Sequence, residues 1–326
     1  MISRRSFLAS SAVAASAFAT RTGWAQPTYP TRPIRLIVPY PAGGGTDFFA
    51  RVVGPLMADK LGQPVIIENK PGAATIVGAD MVAKAAADGY TFLLGDTATF
   101  AANVSLYKKL PYDPQADFAP ISLTGRFAIV LLVNADLVKA NSVAELAHEA
   151  NSKPGMIDYA SSGIGSPFHL AAELFSQVAK IKLTHVPYRG AAPAVQGLLG
   201  GEVGMMFVDY ATARAQLSNP KIKALGVASP TPFAGLPGVP TIAATYPGFE
   251  AWAWQGFVLP TKTPAEIVTR LHDLYVQIIG SAEVKQKLMD AGIDPLQSSP
   301  DEMKRYMASE TKKWGDVIRA ANIQMN

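Results

Sequence analysis

Three consecutive glycines near the start of the chain could bind an anion. Gly43, Gly44 and Gly45 follow the apolar, strand-like run 34–38 and two prolines, and they precede a segment with helical spacing. Glycine permits positive φ values and a close approach of the backbone to a ligand. The N–H groups at a helix start, with the positive end of the helix dipole, favour anions. Thr46 or Asp47 is predicted to cap this helix. The pattern predicts an anion site formed mainly by backbone groups; a purely structural turn is the alternative.

Sequence signatures of common enzyme classes do not occur in the chain. It contains no Gly-x-Ser-x-Gly, His-Glu-x-x-His or Gly-x-x-x-x-Gly-Lys motif. Its four histidines lack metal-ligand spacing, and it has no cysteine for disulfides or thiolate sites. Ser161 or Ser162 with His169 and Asp209 could form a hydrolytic triad, but a serine-rich anion loop explains these residues more simply. We therefore expect no catalytic residue, no metal and no cofactor.

Residues 1–25 have the pattern of a twin-arginine export signal. Arg4 and Arg5 precede a short apolar run at 9–19, and Gly23-Trp24-Ala25 offers small residues to a signal peptidase. No cysteine follows the run, so a lipoprotein-type anchor is not expected, and no later segment reaches the length of a membrane span. The mature protein is predicted to begin near Gln26 and to be soluble in the periplasm. An apolar helix of the mature fold is the alternative.

The composition indicates a globular protein whose mature chain is close to neutral. Of the 326 residues, 49% are apolar and 17% are charged, which excludes disorder. The formal charge of +4 includes three arginines of the predicted signal. Because no basic stripe or aromatic ladder occurs, a nucleic-acid partner is not expected. The roughly 300 mature residues exceed what one core usually holds, so two lobes are predicted.

Short apolar strands alternate with helices, which is typical of an α/β fold with parallel sheets. The predicted strands are residues 34–38, 65–69, 92–95, 129–133, 158–160, 184–187, 205–208, 225–228 and 249–260. The predicted helices are residues 48–61, 75–86, 143–151, 168–179, 192–200, 264–280, 282–291 and 301–322. Two such series in succession predict two doubly wound α/β lobes.

Two crossover strands are expected to join the lobes. The chain is predicted to cross near Arg126 and to return between Ala228 and Tyr246. Lobe 1 then comprises residues 26–126 and 246–326, and lobe 2 comprises residues 127–245. Two crossings form a hinge, and ligands in such folds bind in the crevice at the carboxyl ends of the strands. The arrangement predicts a clamp for a small solute.

Several motifs, in this order, resemble those of one protein family. They are Pro-Tyr-Pro-Ala-Gly-Gly-Gly-Thr-Asp at 39–47, Glu-Asn-Lys-Pro-Gly-Ala at 68–73, Ala-Asp-Gly-Tyr-Thr at 87–91, Leu-Tyr-Lys-Lys-Leu-Pro-Tyr-Asp at 106–113, Ser-Ser-Gly at 161–163, His-Leu-Ala at 169–171, His-Val-Pro-Tyr-Arg-Gly at 185–190 and Gly-Gly-Glu-Val at 200–203. On these motifs the chain is similar to the extracytoplasmic solute receptors of the tripartite tricarboxylate transporter family (TctC), also called Bug receptors. The resemblance implies a type II periplasmic-binding-protein fold that closes on a small carboxylate. It also implies delivery to a permease of one large and one small membrane subunit, and we expect a monomeric receptor.

The resemblance also implies the ligand-binding residues. Receptors of this family hold one carboxylate with a strand-to-helix loop from each lobe and with bridging waters. The matching loops here are residues 40–47 and 161–165, whose hydroxyl and N–H groups suit an oxyanion without a buried cation. The expected ligand-binding residues are Tyr40, Ala42, Gly43, Gly44, Thr46, Asp47, Thr97, Phe100, Arg126, Ser161, Ser162, Gly163, Ser166, Phe168, His169, Arg189 and Asp209.

Some of these residues have structural alternatives. Asp47 would repel an anion that it faced, so a capping or water-ordering role is expected for it. His169 has the alternative of a hydrogen-bonded histidine on a helix. Arg189 has the alternative of a solvated or lobe-bridging group. Tyr210, beside Asp209, could stack on a ligand or cap the core.

Aromatic residues near the predicted crevice suggest a hypothesis for ligand choice. Phe100, Phe127, Phe168 and Trp254 around a carboxylate site would suit an aromatic or long apolar acid. Arg126 could then bind a second carboxylate with two parallel hydrogen bonds. The sequence thus suggests an aromatic mono- or dicarboxylate such as a phthalate isomer, with the alternative that these rings belong to the core. A receptor that serves a signalling sensor is a further alternative to transport.

Overall fold

Strands and helices alternate through the computed structural model, which describes residues 29–325. The predicted export signal lies outside the described residues. The chain divides into two units between Thr31 and Arg32, and the fold below is that of the second unit. Its strands are β1 Ile34–Val38, β2 Val65–Asn69, β3 Thr91–Asp96, β4 Phe118–Asn134, β5 Asp158–Ser161, β6 Thr184–Pro187, β7 Met205–Asp209, β8 Ile222–Val227, β9 Trp252–Pro260 and β10 Ile293–Pro295.

The helices mostly follow the strands, as in other α/β folds. They are α1 Gly45–Leu61, α2 Ile76–Ala83, a π-helical turn Ala98–Ala102, α3 Asn103–Leu106, α4 Val143–Ser152, α5 Pro167–Ala179, α6 Ala191–Gly200, α7 Tyr210–Arg214, a 3₁₀ turn Ile242–Ala244, α8 Ala265–Ile279, α9 Ala282–Asp290 and α10 Pro300–Ala320. Within the described part of the chain, none of them has the length and apolar character that a membrane crossing requires.

The strands form one mixed sheet in the order β2-β1-β3-β9-β4-β7-β5-β6, with β8 and β10 also paired to β4. The pairs β1–β2, β1–β3, β5–β6 and β5–β7 are parallel, as predicted. All pairs made by β4 and β9 are antiparallel, so the expectation of purely parallel sheets is wrong at the centre. The reason is topological, because one strand carries the chain across the molecule and the other carries it back. The predicted α/β fold class is confirmed.

Strand β4 is much longer than the predicted segment 129–133. Its first part pairs with β9 and β10, and its second part pairs with β7 and β8. The register against β9 shifts between Pro120 and Ser122 and again between Leu123 and Gly125. Such bulges break the alternation of side chains on which strand prediction relies, and this explains why the first part was missed.

The carboxyl ends of two groups of parallel strands face each other along β4. The last residue of β3, Asp96, pairs with Gln255 of β9, which pairs with Gly125 of β4. The last residue of β7, Asp209, pairs with Ile129 of β4, and β7 approaches this point from the opposite direction to β3. Gly125 and Ile129 are four residues apart, or about 13 Å along an extended strand. The loops that follow β1, β3, β5 and β7 therefore open toward one region.

The returning chain crosses at the same place. Ala251 N donates to Ala228 O, and Ala228 N donates to Ile129 O. Trp252, the first residue of β9, pairs with Ala128 of β4. The two crossings are thus adjacent and hydrogen-bonded to each other, while the predicted lobe boundaries themselves stay a prediction.

Both faces of the sheet around β9 carry aromatic packing. On one face Phe257 contacts Phe49 of α1 and Tyr275 of α8, with ring centroids 6.0 and 5.6 Å apart. On the other face Trp254 stacks on Phe100 at 5.8 Å. Alternation along the strand places residues 254 and 257 on opposite faces. The elements packed on the two faces therefore bury every residue of β9 except the half-buried Ala253, as expected for a central strand.

Helix α10 is attached to β9 by a buried carboxylate. Glu310 Oε2 accepts hydrogen bonds from the indole Nε1 of Trp254 at 2.9 Å and of Trp314 at 2.8 Å. Lys313 Nζ donates to Glu310 Oε1 at 3.2 Å. A buried charge is tolerated when it is paired and hydrogen-bonded. The C-terminal helix is thereby joined to the strand that returns from the second crossing.

Candidate functional site

The glycine-rich loop after β1 is exposed and leads directly into α1. Helix α1 begins at Gly45, with the exposed Gly44 as its N-cap and without a side-chain cap. The prediction that Thr46 or Asp47 caps this helix is therefore wrong, because both already lie in its first turn. The first N–H groups of a helix have no intrahelical partner, and here no capping side chain covers them. Together with the helix dipole these N–H groups favour an anion, and the anion site expected here stays a prediction.

Asp47 closes the loop from within the helix. Its Oδ2 accepts from Gly43 N at 2.9 Å and from Arg51 Nε at 2.8 Å, and its Oδ1 accepts from Asn69 Nδ2 at 2.9 Å. Burial acts to raise the pKa of Asp47, but the hydrogen bonds from Arg51, Gly43 and Asn69 outweigh it and hold this pKa below the ordinary value. The carboxylate is buried and its charge is compensated by these three donors.

Gly45 also has a packing role. A Cβ at this position would lie 2.7 Å from Cε1 of Phe127, a half-buried residue of β4. The missing side chain therefore allows the first turn of α1 to rest against this ring. Of the residues expected to bind the ligand in this loop, Ala42 and Gly43 are exposed and Thr46 is half-buried.

A hydrogen-bond chain fixes Tyr40 at the start of the same loop. Tyr40 Oη donates to Asp96 Oδ2 at 2.5 Å. Asp96 Oδ1 accepts from Thr99 N at 3.0 Å and from Thr99 Oγ1 at 2.8 Å, and Thr99 Oγ1 lies 2.9 Å from Thr75 Oγ1. Burial raises the pKa of Asp96, and burial together with the Asp96 carboxylate raises the pKa of Tyr40. The chain connects the ends of β1 and β3 with the start of α2.

Thr97 and Phe100 lie behind the loop rather than on its surface. Thr97 Oγ1 accepts from Trp254 N at 3.0 Å, and both residues are fully buried. Phe100 has no exposed surface and packs between Trp254 and Phe118. In this structure Phe100 and Trp254 are part of the core, which agrees with the alternative to a ligand-contacting role. Direct ligand contact by Thr97 or Phe100 stays a prediction.

The second predicted loop follows β5. Ser161, its first residue, has Oγ 2.7 Å from Nε2 of His185 and accepts from Gly163 N at 3.2 Å. Ser166 is the N-cap of α5 and accepts from His169 N at 3.3 Å. Ser162, between these anchored positions, is half-buried. The loop thus presents a second helix start with hydroxyl groups nearby.

Two glycines give this loop its shape. Gly163 has φ +135° and Gly165 has φ +75°, values that side chains strongly disfavour. Gly165 also packs against Leu106 of α3, where a Cβ would overlap the leucine side chain. Gly165 N donates to His169 Nδ1 at 2.9 Å. The conformation of the loop therefore depends on both glycines.

His169 and His185 lie beneath this loop. Their rings stack with centroids 3.9 Å apart and planes 10° apart. Burial, followed by the proximity of His185, lowers the pKa of His169 to about 3, and burial lowers the pKa of His185 to about 4. His169 is only 3% exposed, so in this conformation it supports the loop from inside. The contact between His185 and Ser161 was not predicted; the only sequence signal was the position of His185 in the motif at 185–190.

Arg126 has partners other than a ligand. Its Nε donates to Asp294 Oδ2 at 2.7 Å, and its guanidinium carbon lies 4.0 Å above the ring of Trp252. The side chain is 34% exposed. Arg126 therefore joins β4 to β10 and β9 in this structure, and its expected ligand contact stays a prediction.

The remaining expected residues lie at three different strand or helix ends. Asp209 caps α7, with Oδ1 accepting from Thr212 N at 2.9 Å and Oδ2 from Thr212 Oγ1 at 2.8 Å. Arg189 is exposed after β6, and Phe168 is half-buried in the first turn of α5. His169 Nδ1 accepts from Gly165 N and Asp209 accepts from Thr212, so the alternative hydrolytic triad of Ser161 or Ser162 with His169 and Asp209 is not assembled.

The geometry as a whole suits capture of a solute. Two loops, each leading into a helix start, follow strands whose carboxyl ends face each other along β4. The first loop exposes glycine backbone and the second carries the half-buried Ser162 and Ser166, while the nearby carboxylates of Asp47 and Asp96 are occupied by protein donors. This combination of fold and site defines the class of α/β solute-binding proteins.

Comparison with known proteins identifies the family. The sequence model described as "Tripartite tricarboxylate transporter family receptor" matches residues 49–323. Protein BugT of Bordetella pertussis (strain Tohama I) is 35% identical over 300 residues, which cover 91% of this chain and 92% of BugT. The structure of R. palustris Rpa4515 with adipate has 34% identity and a TM-score of 0.81, covering 91% of this chain and 100% of that one. MatC (Rpa3494) from Rhodopseudomonas palustris with bound malate has 32% identity and a TM-score of 0.77, covering 89% and 100%.

The chain belongs to the tripartite tricarboxylate transporter receptor family, and the resemblance predicted from its motifs is confirmed. It is a periplasmic solute-binding receptor of the TctC/Bug type. Its family and its structural neighbours are solute-binding proteins rather than enzymes.

Proposed function

We propose that this receptor binds a small carboxylate between the loop at residues 40–47 and the loop at residues 161–166. The ligand lies in a crevice between two lobes that close on it. The observation that carries this proposal is the opposition of the strand ends along β4, with Asp96 level with Gly125 and Asp209 level with Ile129. The first side then contributes the uncapped start of α1, whose N–H groups favour an anion, and the second contributes the serine hydroxyls of the loop before α5.

The chemistry of the two loops favours a carboxylate held by neutral donors. The loop before α1 offers backbone N–H groups, and the loop before α5 offers the hydroxyls of Ser162 and Ser166. A site of this kind holds no buried cation that would need compensation before the ligand arrives. Bridging waters would let the same site accept acids of different length. Adipate and malate, the ligands named for two structural neighbours, are both dicarboxylates and support this class.

The structure favours a small aliphatic mono- or dicarboxylate over an aromatic acid. Phe100 and Trp254 are packed against each other in the core. Two of the four rings that suggested an aromatic ligand are therefore not accessible to a ligand in this conformation. Phe127 and Phe168 remain half-buried near the loops. Arg126 is already paired with Asp294, which leaves the second carboxylate of a diacid to the loop donors and to water.

A ligand screen tests the carboxylate proposal. The mature protein is titrated by thermal shift and calorimetry with acetate, malate, adipate, citrate, benzoate, phthalate and inorganic phosphate. We expect the melting temperature to rise with concentration for at least one aliphatic carboxylate, because binding to the folded state alone stabilises it. A response to phosphate alone, or to none of the carboxylates, would contradict the proposal.

We also propose that the loaded receptor delivers its ligand to a permease of one large and one small membrane subunit; the family description, which names a tripartite transporter, supports such a partner. The test is uptake of the identified carboxylate in cells that lack the receptor gene but keep the permease. We expect uptake to fall to background and to return with the wild-type gene. Unchanged uptake, together with altered gene expression in response to the ligand, would favour a sensory role instead.

A further inference from the structure

The two ends of the loop at residues 161–166 are attached to one pair of stacked imidazoles. Ser161 Oγ lies 2.7 Å from His185 Nε2 at the end of β5, and Gly165 N donates to His169 Nδ1 at 2.9 Å before α5. The rings themselves stack at 3.9 Å. A displacement of either ring would therefore be passed on to both ends of the loop.

The hydrogen bond to His169 defines the protonation of that ring. Because Gly165 N is a donor, His169 Nδ1 must be the unprotonated acceptor, and the ring proton of the neutral form resides on Nε2. A proton on Nδ1 would place two donors against each other. His169 Nε2 is directed toward Glu173 Oε1, at 3.7 Å.

The groups packed against the pair also favour uncharged rings. Tyr159 of β5 stacks on His185 at 4.8 Å, and its hydroxyl donates to Glu173 Oε1. Burial raises the pKa of Glu173 and so disfavours the charged form of this carboxyl beside the rings. Burial lowers the pKa of both histidines. Two cations at this distance would also repel each other strongly.

We propose that His169 and His185 are positioning residues for the ligand: as a stacked, uncharged pair they hold Ser161 and Gly165 so that the loop between them fits the bound carboxylate. The pair contacts the loop and not the ligand. This inference rests on the proposed carboxylate function. It adds that the conformation of this loop, which its two glycines permit, is held in place by residues beneath it, one on α5 and one on β6.

Matched substitutions separate positioning from general stability. His169→Asn keeps an acceptor near the position of Nδ1, whereas His169→Leu removes it; His185→Gln and His185→Leu form the same comparison for Ser161. His148→Leu, at an exposed position on α4, is the control. The ligand is the tightest-binding carboxylate of the wild-type screen, and its affinity is measured at pH 7 by calorimetry with protein shown to be folded by circular dichroism.

We expect the two leucine variants to bind at least tenfold more weakly than the wild type. His169→Asn and His185→Gln should stay within about threefold of the wild type, and His148→Leu should be unchanged. If the wild type binds while both leucine variants bind equally well, the positioning role is wrong and the proposed function stands. If the wild type binds no carboxylate, the proposed function itself fails.

A second measurement does not depend on any variant or ligand. Nitrogen-15 NMR of the imidazoles in the wild-type protein reports the tautomer of each ring. We expect His169 as the neutral form with its proton on Nε2, without titration between pH 8 and 5. A proton on Nδ1 or a charged ring at pH 7 would overturn the proposal even if the leucine variants failed to fold.

Discussion

Tyr40 and Asp96 are joined by a 2.5 Å hydrogen bond that connects the glycine-rich loop to the end of β3. In Tyr40→Phe the carboxylate oxygen Oδ2 would lose this donor while remaining buried. We expect the free energy of unfolding to fall by about 1–3 kcal/mol, the usual cost of an unsatisfied buried group. Ligand affinity should fall as well, because the start of the loop loses its attachment. Urea denaturation and calorimetry measure the two effects.

The matched control for this substitution is Tyr188→Phe. Tyr188 donates to Glu202 in an exposed pair, at 2.8 Å. Because solvent can replace this bond, we expect a loss below about 0.5 kcal/mol. An equal loss in the two variants would mean that the Tyr40–Asp96 bond has no special importance.

Alanine substitutions at Gly43 and Gly62 distinguish an effect on the binding loop from an effect on helix stability. Both have positive φ, +93° and +67°, both have open space around the missing Cβ, and they lie at opposite ends of α1. Alanine at either position should lower stability by about 1 kcal/mol, because side chains disfavour this region. Only Gly43→Ala should weaken carboxylate binding, by an expected tenfold or more in a calorimetric titration. Similar binding by both variants would place the ligand elsewhere.

The stacked histidines should affect acid stability. Their pKa values of about 3 and about 4 lie below the ordinary 6.5, so below pH 6.5 the unfolded chain takes up protons that the folded chain does not. His169 therefore lowers the free energy of unfolding as the pH falls from 6.5 toward 4, by about 1.4 kcal/mol per pH unit, and the more exposed His185 acts in the same direction with a smaller effect. The raised pKa of Glu173 acts in the opposite direction. The histidine effect is therefore obtained by comparing the stability of a histidine variant with that of the wild type.

That difference is the stability of His169→Asn minus that of the wild type, measured by urea denaturation from pH 7 to pH 4.5. The variant lacks the group that protonates on unfolding, and we expect the difference to shift in its favour as the pH falls. A difference that stays constant over this range would show that His169 titrates equally in the folded and unfolded states.

Glu310 should be essential for the attachment of α10 to β9. Glu310→Leu leaves the indole N–H groups of Trp254 and Trp314 without their acceptor, so we expect a loss of more than about 3 kcal/mol. Glu310→Gln keeps one acceptor oxygen and should lose less. Tryptophan fluorescence during urea unfolding reports both. Equal stability of the two variants would show that the acceptor is dispensable.

Arg126→Ala tests whether this arginine selects diacids. Because the guanidinium is paired with Asp294 and lies over Trp252, we expect a stability loss of about 1 kcal/mol and unchanged ratios among carboxylate affinities. A selective loss of dicarboxylate binding would instead support the sequence-based hypothesis that Arg126 binds the second carboxylate.

Local apolar runs bounded by glycine or proline were sufficient to predict several strands. β1, β2 and β6 have the predicted bounds, because a proline flanks or ends each of them and marks the limits of the strand locally. The first part of β4 and the short β10 were missed. Both depend on pairing between distant segments, and β4 contains bulges that disturb its alternation.

The sequence by itself was sufficient to predict the family and the two loops. Glycines, serines and the ends of apolar runs occur together in short motifs, and these can be recognised without knowing the tertiary contacts. The tertiary structure decided the partner of each polar group: Asp47 with Gly43 and Arg51, Arg126 with Asp294, and Ser161 with His185. A hydrogen bond requires a donor and an acceptor within about 3 Å. For Arg126 and Ser161 that proximity arises between residues far apart in the chain, and only the packing of strands and helices brings them together.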